Sequence, residues 1–244
     1  MKIIDLTHCI TEDMPVYPNT ERPKLKTTNT YEVDGFRETL LTLGSHTGTH
    51  MDAPAHIING KPTLDEFPIS QFIGKALVID CRSLKDGEEI TAEHILKYGE
   101  KLNQAEFLLF NLGWDKRWGK NDYFGDFPCL NSEAVDIIAN GNYKGIGFDV
   151  ISIDNIGKPL KVHTELFSKK SLINIENLKN LDLCGSEIFT FVCLPLKLVN
   201  ADGSPVRAIA IIEEYFFQRS NYVRYSSNRR RRCRWNDSKR AFLL

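Results

Sequence analysis

Short apolar runs alternate with polar, loop-forming segments along the first 212 residues. Runs such as KALVIDC (75–81) and EFLLFNLGW (106–114) are typical of buried strands, because nearly every position is apolar. The same pattern predicts strands at KIIDLTHCI (2–10), KGIGFDVISID (144–154), FTFVCLPLKL (189–198) and VRAIAII (206–212), and an extended segment at GFRETLLTLGSHTGTH (35–50).

Two segments between these runs have the spacing of amphipathic helices. TAEHILKYGEKL (91–102) begins with Thr91, which predicts an N-cap. NSEAVDIIANGN (131–142) repeats the pattern, with Asn131 or Ser132 as the cap. Strands that alternate with helices, with no internal repeat, predict one mixed α/β domain over residues 1–212.

Composition and charge agree with one folded domain and distinguish the C-terminal segment from the rest of the chain. The chain has 244 residues, 42% of them hydrophobic, which is enough for one sizeable core. The formal net charge of −1 divides into −7 for residues 1–212 and +6 for residues 213–244. We therefore expect the arginine-rich segment 213–244 to lie outside the core fold, and its switch from lysine to arginine suggests a different coding origin.

The basic segment, with its interleaved aromatic residues, resembles nucleic-acid-binding tails in composition. The acidic charge of residues 1–212 argues against such a partner, so we do not expect nucleic acid to be one.

The sequence favours a cytoplasmic protein. No apolar run is long enough to span a membrane, and the N-terminus lacks the uninterrupted apolar core of a secretory signal. The cysteines are irregularly spaced and form no Cys-x-x-Cys pair, which favours free thiols in a reducing compartment: Cys9, Cys81, Cys129, Cys184, Cys193 and Cys233.

The segment SHTGTHMDAPAH (45–56) crowds His46, His50, Asp52 and His56 into eleven positions. An ideal strand would separate His46 from His50 by about 13 Å, too far for one ion. A helix is disfavoured by the glycine, threonines and proline of the segment. A curled loop that gathers these side chains around a metal ion is the remaining solution.

A lone histidine in a loop more often caps a carbonyl group, but four candidate ligands this close together favour a metal site. Imidazole and carboxylate ligands suit Zn²⁺, and Mn²⁺ or Fe²⁺ fit the same ligand types. The residues alone leave the identity of the ion open.

HTGTHMDAPAH (46–56) resembles the His-x-Gly-Thr-His-x-Asp-x-Pro-x-His signature of the cyclase-like metal hydrolases, which include bacterial kynurenine formamidase and isatin hydrolase. The resemblance covers residues 3–212. Its further matches are DLTHCITEDMPVYP, NLGWDKRWG, GIGFDVISID, VHTELFSKKSLINIENLKNL and ADGSPVRAIAI. It implies a compact α/β domain with a mixed, barrel-like sheet flanked by helices, assembled as a homodimer or homotetramer.

The resemblance also implies roles for individual residues. The expected ligands of one or two ions are His46, His50 and Asp52, with Asp52 bridging to a second ion held by His163 and Glu176. His56 is expected to transfer protons rather than to bind metal. From the residues alone, His163 could be a surface helix residue and Glu176 a solvated acid at a strand end.

The reaction that the resemblance implies is amide hydrolysis, with N-formyl-kynurenine as the leading small-molecule substrate, hence a role in tryptophan catabolism. Tyr17, Phe36 and Trp114 are candidate substrate contacts, although each could instead pack in the core. Formamidases of the family tend to carry tryptophan and Gly-Asp where this chain has Tyr17 and Asn19-Thr20. The alternatives are a hydrolase or cyclase acting on isatin or another cyclic amide or lactone, and a non-catalytic metal-binding protein.

Overall fold

The computed structural model describes residues 1–213, so the expectation for segment 213–244 lies almost wholly outside the described residues. The strands are β1 (Lys2–Asp5), β2 (Lys24–Asn29), β3 (Glu38–Thr42), β4 (His50–Asp52), β5 (Ile73–Asp80), β6 (Glu89–Ile90), β7 (Phe107–Asn111), β8 (Cys129–Leu130), β9 (Gly145–Phe148), β10 (Ile173–Glu176), β11 (Phe189–Pro195) and β12 (Gly203–Ile212). The α-helices are α1 (Tyr31–Asp34), α2 (Ala92–Leu96), α3 (Ser132–Asn140) and α4 (Lys161–Lys169). None of these helices combines the length and apolar character needed to cross a bilayer.

Seven of the described strands form a closed, mixed sheet in the order β12-β11-β5-β7-β9-β10-β4, with β4 pairing again to β12. Strands β5, β7, β9 and β10 run parallel, and the remaining pairs are antiparallel. Strand β1 pairs with the far end of β12. The α/β, barrel-like architecture expected from the sequence is confirmed.

Two apolar clusters stabilise this sheet from its opposite faces. Every residue of β7 is buried, as expected for a parallel strand that is covered on both sides. Its alternate residues divide between the clusters: Leu108 and Phe110 pack with residues of α3 and α4, whereas Phe107 and Leu109 pack with residues of β11 and β12. The fold therefore has a helix-covered face and a second face closed by the antiparallel strands.

Several elements are shorter than the apolar pattern predicts. The helix expected over residues 91–102 ends at Leu96 and continues as a 3₁₀ turn over Gly99–Asn103, because Gly99 adopts a positive φ of 53°. The strand expected over 144–154 ends at Phe148, and residues 149–154 form a loop. Helix α3 agrees with expectation, and the Asn131 side chain caps it by accepting the Ala134 N–H.

A hairpin formed by β2 and β3, with α1 between them, stands apart from the closed sheet. Strand β2 was not expected from the sequence, because KLKTTN contains one apolar residue, Leu25, and so has no apolar face. Every residue of β3 is exposed, including Leu40 and Leu41. The extended segment expected over 35–50 is thus divided between this hairpin and β4.

Candidate metal centre

The centre is built where β4 lies between β10 and β12. His50 is opposite Glu176 in the β4–β10 pair, and Asp52 is opposite Gly203 in the β4–β12 pair. Because side chains alternate along a strand, His50 and Asp52 project from the same face, while Met51 between them enters the apolar core. The sheet register therefore brings two residues of the crowded segment against a carboxylate from a distant strand.

His46 joins them from the turn before β4. Gly48 makes this turn possible, since its φ of +66° belongs to the left-handed region and an added Cβ would lie 3.3 Å from Ile10. The turn sets His46 Nδ1 2.7 Å from Asp52 Oδ1 and the two ring centroids of His46 and His50 5.1 Å apart. The segment is a turn followed by a short strand, rather than the single curled loop expected from the sequence.

His163 reaches the same place from the start of α4. Its Nε2 lies 3.6 Å from Asp52 Oδ2 and 3.4 Å from Glu176 Oε1. Asp154 fixes the beginning of this helix, since its carboxylate accepts the backbone N–H groups of Val162 and His163. His163 is thus buried, not a surface helix residue, and Glu176 is buried as well.

Each of the three histidines, His46, His50 and His163, has one ring nitrogen that contacts an oxygen atom of a neighbouring residue. The Nδ1 of His50 donates to the Gly48 carbonyl oxygen at 2.8 Å, and the Nδ1 of His163 donates to Asp154 at 2.7 Å. The Nε2 of His46 lies 3.0 Å from Asp202 Oδ2. A partner on one ring nitrogen fixes the tautomer and directs the other nitrogen toward a cation, as in histidine metal ligands generally.

The donor atoms suit a divalent cation. One ligand atom from each of His46, His50 and Asp52 lies within 4.8 Å of the others, and the same holds for Asp52, His163 and Glu176. Two buried carboxylates and three imidazoles are a donor set that Zn²⁺, Mn²⁺ and Fe²⁺ accept. The five residues expected as ligands are therefore brought together, with Asp52 common to both groups.

The electrostatics of the centre favour positive charge among these carboxylates. Burial opposes protonation of His50, but hydrogen bonds that its ring donates to Asp52 and Glu176 outweigh burial and raise its pKa to about 10. Burial likewise opposes protonation of His163, and its carboxylate partners raise its pKa well above the usual value. Burial alone would raise the pKa of Asp52, yet its histidine partners hold that pKa well below the ordinary value.

His56 lies next to the five candidate ligands. Its ring centroid is 3.9 Å from that of His46 and 6.2 Å from that of His163, and its Nδ1 lies 3.7 Å from Asp202 Oδ2. Burial lowers the pKa of His56, so the neutral ring, which can accept a proton, is favoured at neutral pH. His56, His46 and Asp202 also bring ligand atoms within 4.8 Å of one another.

A cavity of about 240 Å³ opens above the candidate metal ligands. Its floor is polar, and its walls are apolar or aromatic, formed by Pro15, Val16, Tyr17, Ile151 and Leu160. Of the three aromatic residues expected as substrate contacts, Tyr17 lines the cavity.

Phe36 and Trp114 are not among the residues that line this cavity. Phe36 is 51% exposed and follows α1 in the hairpin. Trp114 is 3% exposed, its indole N–H donates to the Tyr123 carbonyl oxygen, and the Arg117 guanidinium lies over its ring. In the single chain, Trp114 therefore packs in the core, which was the alternative to a substrate contact. Phe36 does not contact the cavity.

Sequence reasoning did not assign roles to Asp154, Asn174 and Asp202, which touch the ligand residues. Asp154 and Asp202 occur in the matched segments GIGFDVISID and ADGSPVRAIAI, which was an available signal. Asn174 stands two positions before Glu176, so the strand period puts both on the same face.

Three comparisons relate this geometry to known proteins. A family model described as a putative cyclase matches residues 4–155. Kynurenine formamidase from Bacillus anthracis is 34% identical over 85% of this chain and 96% of its own length.

Solved structures agree with the sequence relatives. Isatin hydrolase A from Labrenzia aggregata, bound to benzyl benzoate, superposes with a TM-score of 0.79 at 28% identity, covering 87% of this chain and 94% of that chain. A predicted metal-dependent hydrolase from Bacillus stearothermophilus superposes with a TM-score of 0.66 at 29% identity, covering 86% of this chain and 97% of its own.

Proposed function

Because this chain belongs to the putative cyclase family, we propose that it is a metal-dependent amidohydrolase with an arylformamidase-type reaction. The preferred substrate would be N-formyl-kynurenine, hydrolysed to formate and kynurenine, which gives the enzyme a role in tryptophan catabolism. The observation that carries the proposal is the convergence of five nitrogen and oxygen ligands beneath a cavity with an aromatic wall. A cytoplasmic location fits the free, buried thiols of Cys81, Cys184 and Cys193.

In this proposal His46, His50 and Asp52 hold one divalent ion, and Asp52, His163 and Glu176 provide a second position. Zn²⁺ is the first choice and Mn²⁺ the alternative, since imidazole and carboxylate ligands accept both. When bound, such an ion supplies Lewis acidity, which brings the pKa of water to about 7 and polarises a carbonyl group.

His56 moves the proton. Its neutral ring faces the cavity beside His46, so it can accept a proton from the attacking water. As the carbon–nitrogen bond breaks, the same ring donates this proton to the departing nitrogen, because an amide nitrogen leaves poorly until it is protonated. A new carbon–oxygen bond replaces the carbon–nitrogen bond, and formate and the free amine result.

The apolar walls suit an aromatic ring. Tyr17 provides an aromatic surface, and Ile151 and Leu160 complete an apolar enclosure above the polar floor. The relative named kynurenine formamidase supports a formyl-arylamine as substrate.

Isatin, or another cyclic amide or lactone, is the alternative substrate class. The structural similarity to isatin hydrolase A supports it, and so does Tyr17, which stands where formamidases tend to carry tryptophan. In this case the same proton transfer by His56 would open a ring instead of releasing formate.

A substrate panel with metal analysis tests the proposal. We expect the purified chain to contain Zn²⁺ or Mn²⁺ and to hydrolyse N-formyl-kynurenine faster than isatin or simple lactones. We expect His56→Ala to lose at least about a hundredfold in kcat with metal content unchanged. His94→Ala, which changes a histidine on α2 outside the cavity, is the matched control.

Each other outcome contradicts a different part of the proposal. Full activity of His56→Ala removes the proton-transfer role. Preference for isatin selects the cyclic amide alternative. Bound metal without hydrolysis of any panel member identifies a non-catalytic metal-binding protein, and a chain that binds no divalent ion overturns the proposal entirely.

We further propose that the chain forms homo-oligomers through the β2–β3 hairpin. Among the described residues no other strand pairs with this hairpin, and it exposes Tyr31, Val33, Leu40 and Leu41. Exposed apolar side chains on a hairpin that no other described strand covers are typical of protein interfaces, and a second copy would cover them.

Light scattering tests the interface. Val33→Glu, at a residue that is 85% exposed, should shift the protein toward monomer because it buries a charge in the interface. Val199→Glu changes an equally exposed valine (84%) outside the hairpin and should not. An unchanged oligomer in Val33→Glu would remove the hairpin from the interface.

A further inference from the structure

Asn174 lies between the two carboxylates of the candidate metal centre. It is fully buried on β10, directly opposite Asp52 in the β4–β10 pair. Its amide nitrogen donates to Asp52 Oδ2 at 2.9 Å and to Glu176 Oε1 at 2.8 Å. A turned amide would put its oxygen against two carboxylate oxygens, so the network fixes the orientation of the group.

The two oxygens that Asn174 binds belong to one of the two proposed metal positions. They are the oxygens nearest His163 Nε2, at 3.6 Å for Asp52 and 3.4 Å for Glu176. The other oxygens of the same carboxylates face His50 Nε2, each at 3.4 Å, and receive nothing from Asn174. The amide therefore bonds directly only to the carboxylate oxygens that face His163.

Resting on the proposed metal-dependent function, we propose that Asn174 makes the two metal positions unequal, so that one ion binds tightly to His46, His50 and Asp52 and a second binds weakly. An N–H donor that bonds a carboxylate oxygen occupies one of its lone pairs and withdraws electron density that a cation would otherwise use. The partly positive amide hydrogens also stand beside the second position and repel a cation there.

Asn174 also removes the need for a second ion. Two buried carboxylates repel each other unless something positive or proton-donating lies between them. The amide bonds both without adding net charge, so it holds Asp52 and Glu176 in place while only the first position is filled. Its carbonyl oxygen is buried and has no hydrogen-bond partner among the described residues, which is unfavourable. The two hydrogen bonds that the amide nitrogen donates therefore explain why an asparagine lies here.

Metal titration of the full chain tests the inference. We would strip the protein with a chelator and measure the dissociation constants of the first and second Zn²⁺ or Mn²⁺ ion by calorimetry and chelator competition. For the unmodified chain we expect one tight ion and a second that binds at least about tenfold more weakly. This readout does not depend on hydrolytic activity.

Two variants at the same position separate the contributions. Asn174→Leu, which is similar in size and lacks donors, should tighten the second ion about tenfold. Asn174→Asp, which adds a carboxylate, should tighten it further, and its circular dichroism spectrum reports whether the fold is intact. Asn140→Asp adds the same charge at the exposed end of α3 and should leave both constants unchanged.

The outcomes distinguish this inference from the proposed function. If the unmodified chain binds no ion, the metal-dependent function fails. If it binds two ions with similar constants, or if Asn174→Leu and Asn174→Asp both leave the second constant unchanged or weaken it, the role of Asn174 is wrong while metal-dependent hydrolysis stands.

Discussion

Asp154 accepts a hydrogen bond from His163 Nδ1 at 2.7 Å, and the same carboxylate accepts two backbone N–H groups at the start of α4. The Asp154 side chain therefore caps the N-terminus of α4 and also fixes the orientation of the His163 ring. The Nε2 of His163 is left facing Asp52 and Glu176.

Asp154→Asn should weaken binding of the second ion, at Asp52, His163 and Glu176, about 10- to 100-fold, because the amide leaves the orientation and tautomer of the His163 ring unfixed. The measurement is the dissociation constant for Zn²⁺ by chelator competition. Glu165→Gln, at a half-buried position of α4 that faces Lys169 and Ser132, is the control. An Asp154→Asn protein with unchanged constants would show that this hydrogen bond does not orient a ligand.

Gly203→Ala should disturb the centre without changing any ligand. A Cβ at this position would lie 2.5 Å from Cε1 of His46 and 2.9 Å from both ring nitrogens. His46 is held between Asp52 and Asp202, so it cannot move away without losing a partner. We expect metal affinity to fall by at least about tenfold.

Gly74→Ala is the matched control for this substitution, since the Cβ there would meet mainly the side chain of Glu106, which can move. It should leave metal affinity unchanged. Equal affinities for the Gly203→Ala and unmodified proteins would mean that the packing of His46 against β12 does not control the site.

Tyr17→Ala tests the cavity wall. Loss of the aromatic surface should raise KM for a formyl-arylamine about tenfold, which corresponds to about 1.4 kcal/mol of lost apolar contact. The dissociation constant for metal should not change, because Tyr17 is not among the residues that offer a ligand atom. Phe124→Ala, a partly exposed aromatic residue outside the cavity, provides the comparison, and an unchanged KM in Tyr17→Ala would exclude this wall from substrate binding.

His8 predicts a pH dependence of stability away from the metal centre. Its ring stacks on Trp118 at 3.9 Å, and burial, with the nearby charge of Lys179, lowers its pKa from 6.5 to about 4. A lowered pKa means that the unfolded chain binds the proton more readily. The contribution of His8 to stability is therefore present above pH 6.5 and is lost as the pH falls toward 4.

His8→Phe keeps the stacking and removes the titration. Relative to this variant, the unmodified protein should lose free energy of unfolding between pH 6.5 and pH 4, as measured by urea denaturation. Parallel pH profiles for His8→Phe and the unmodified protein would contradict the prediction.

The local sequence predicts the positions of the buried strands better than it predicts the lengths of the helices. The buried runs over 75–81 and 106–114 became β5 and β7, because fully apolar segments are stable only between two covering layers. Helix α2 is short because Gly99 breaks the pattern, and β2 has no apolar face to reveal it. The hairpin is defined by the pairing of β2 with β3, which the local pattern does not predict.

By itself, the sequence determined that His46, His50 and Asp52 would share one place, since four potential ligands in eleven positions around Gly48 leave few other arrangements. Only the tertiary structure decided which residues from other strands lie next to these three. The β4–β10 and β4–β12 registers bring Glu176, Asn174 and Gly203 to this face. The physical reason is that a local pattern reports which face of a strand is buried, whereas the closure of the sheet selects the strand that faces it.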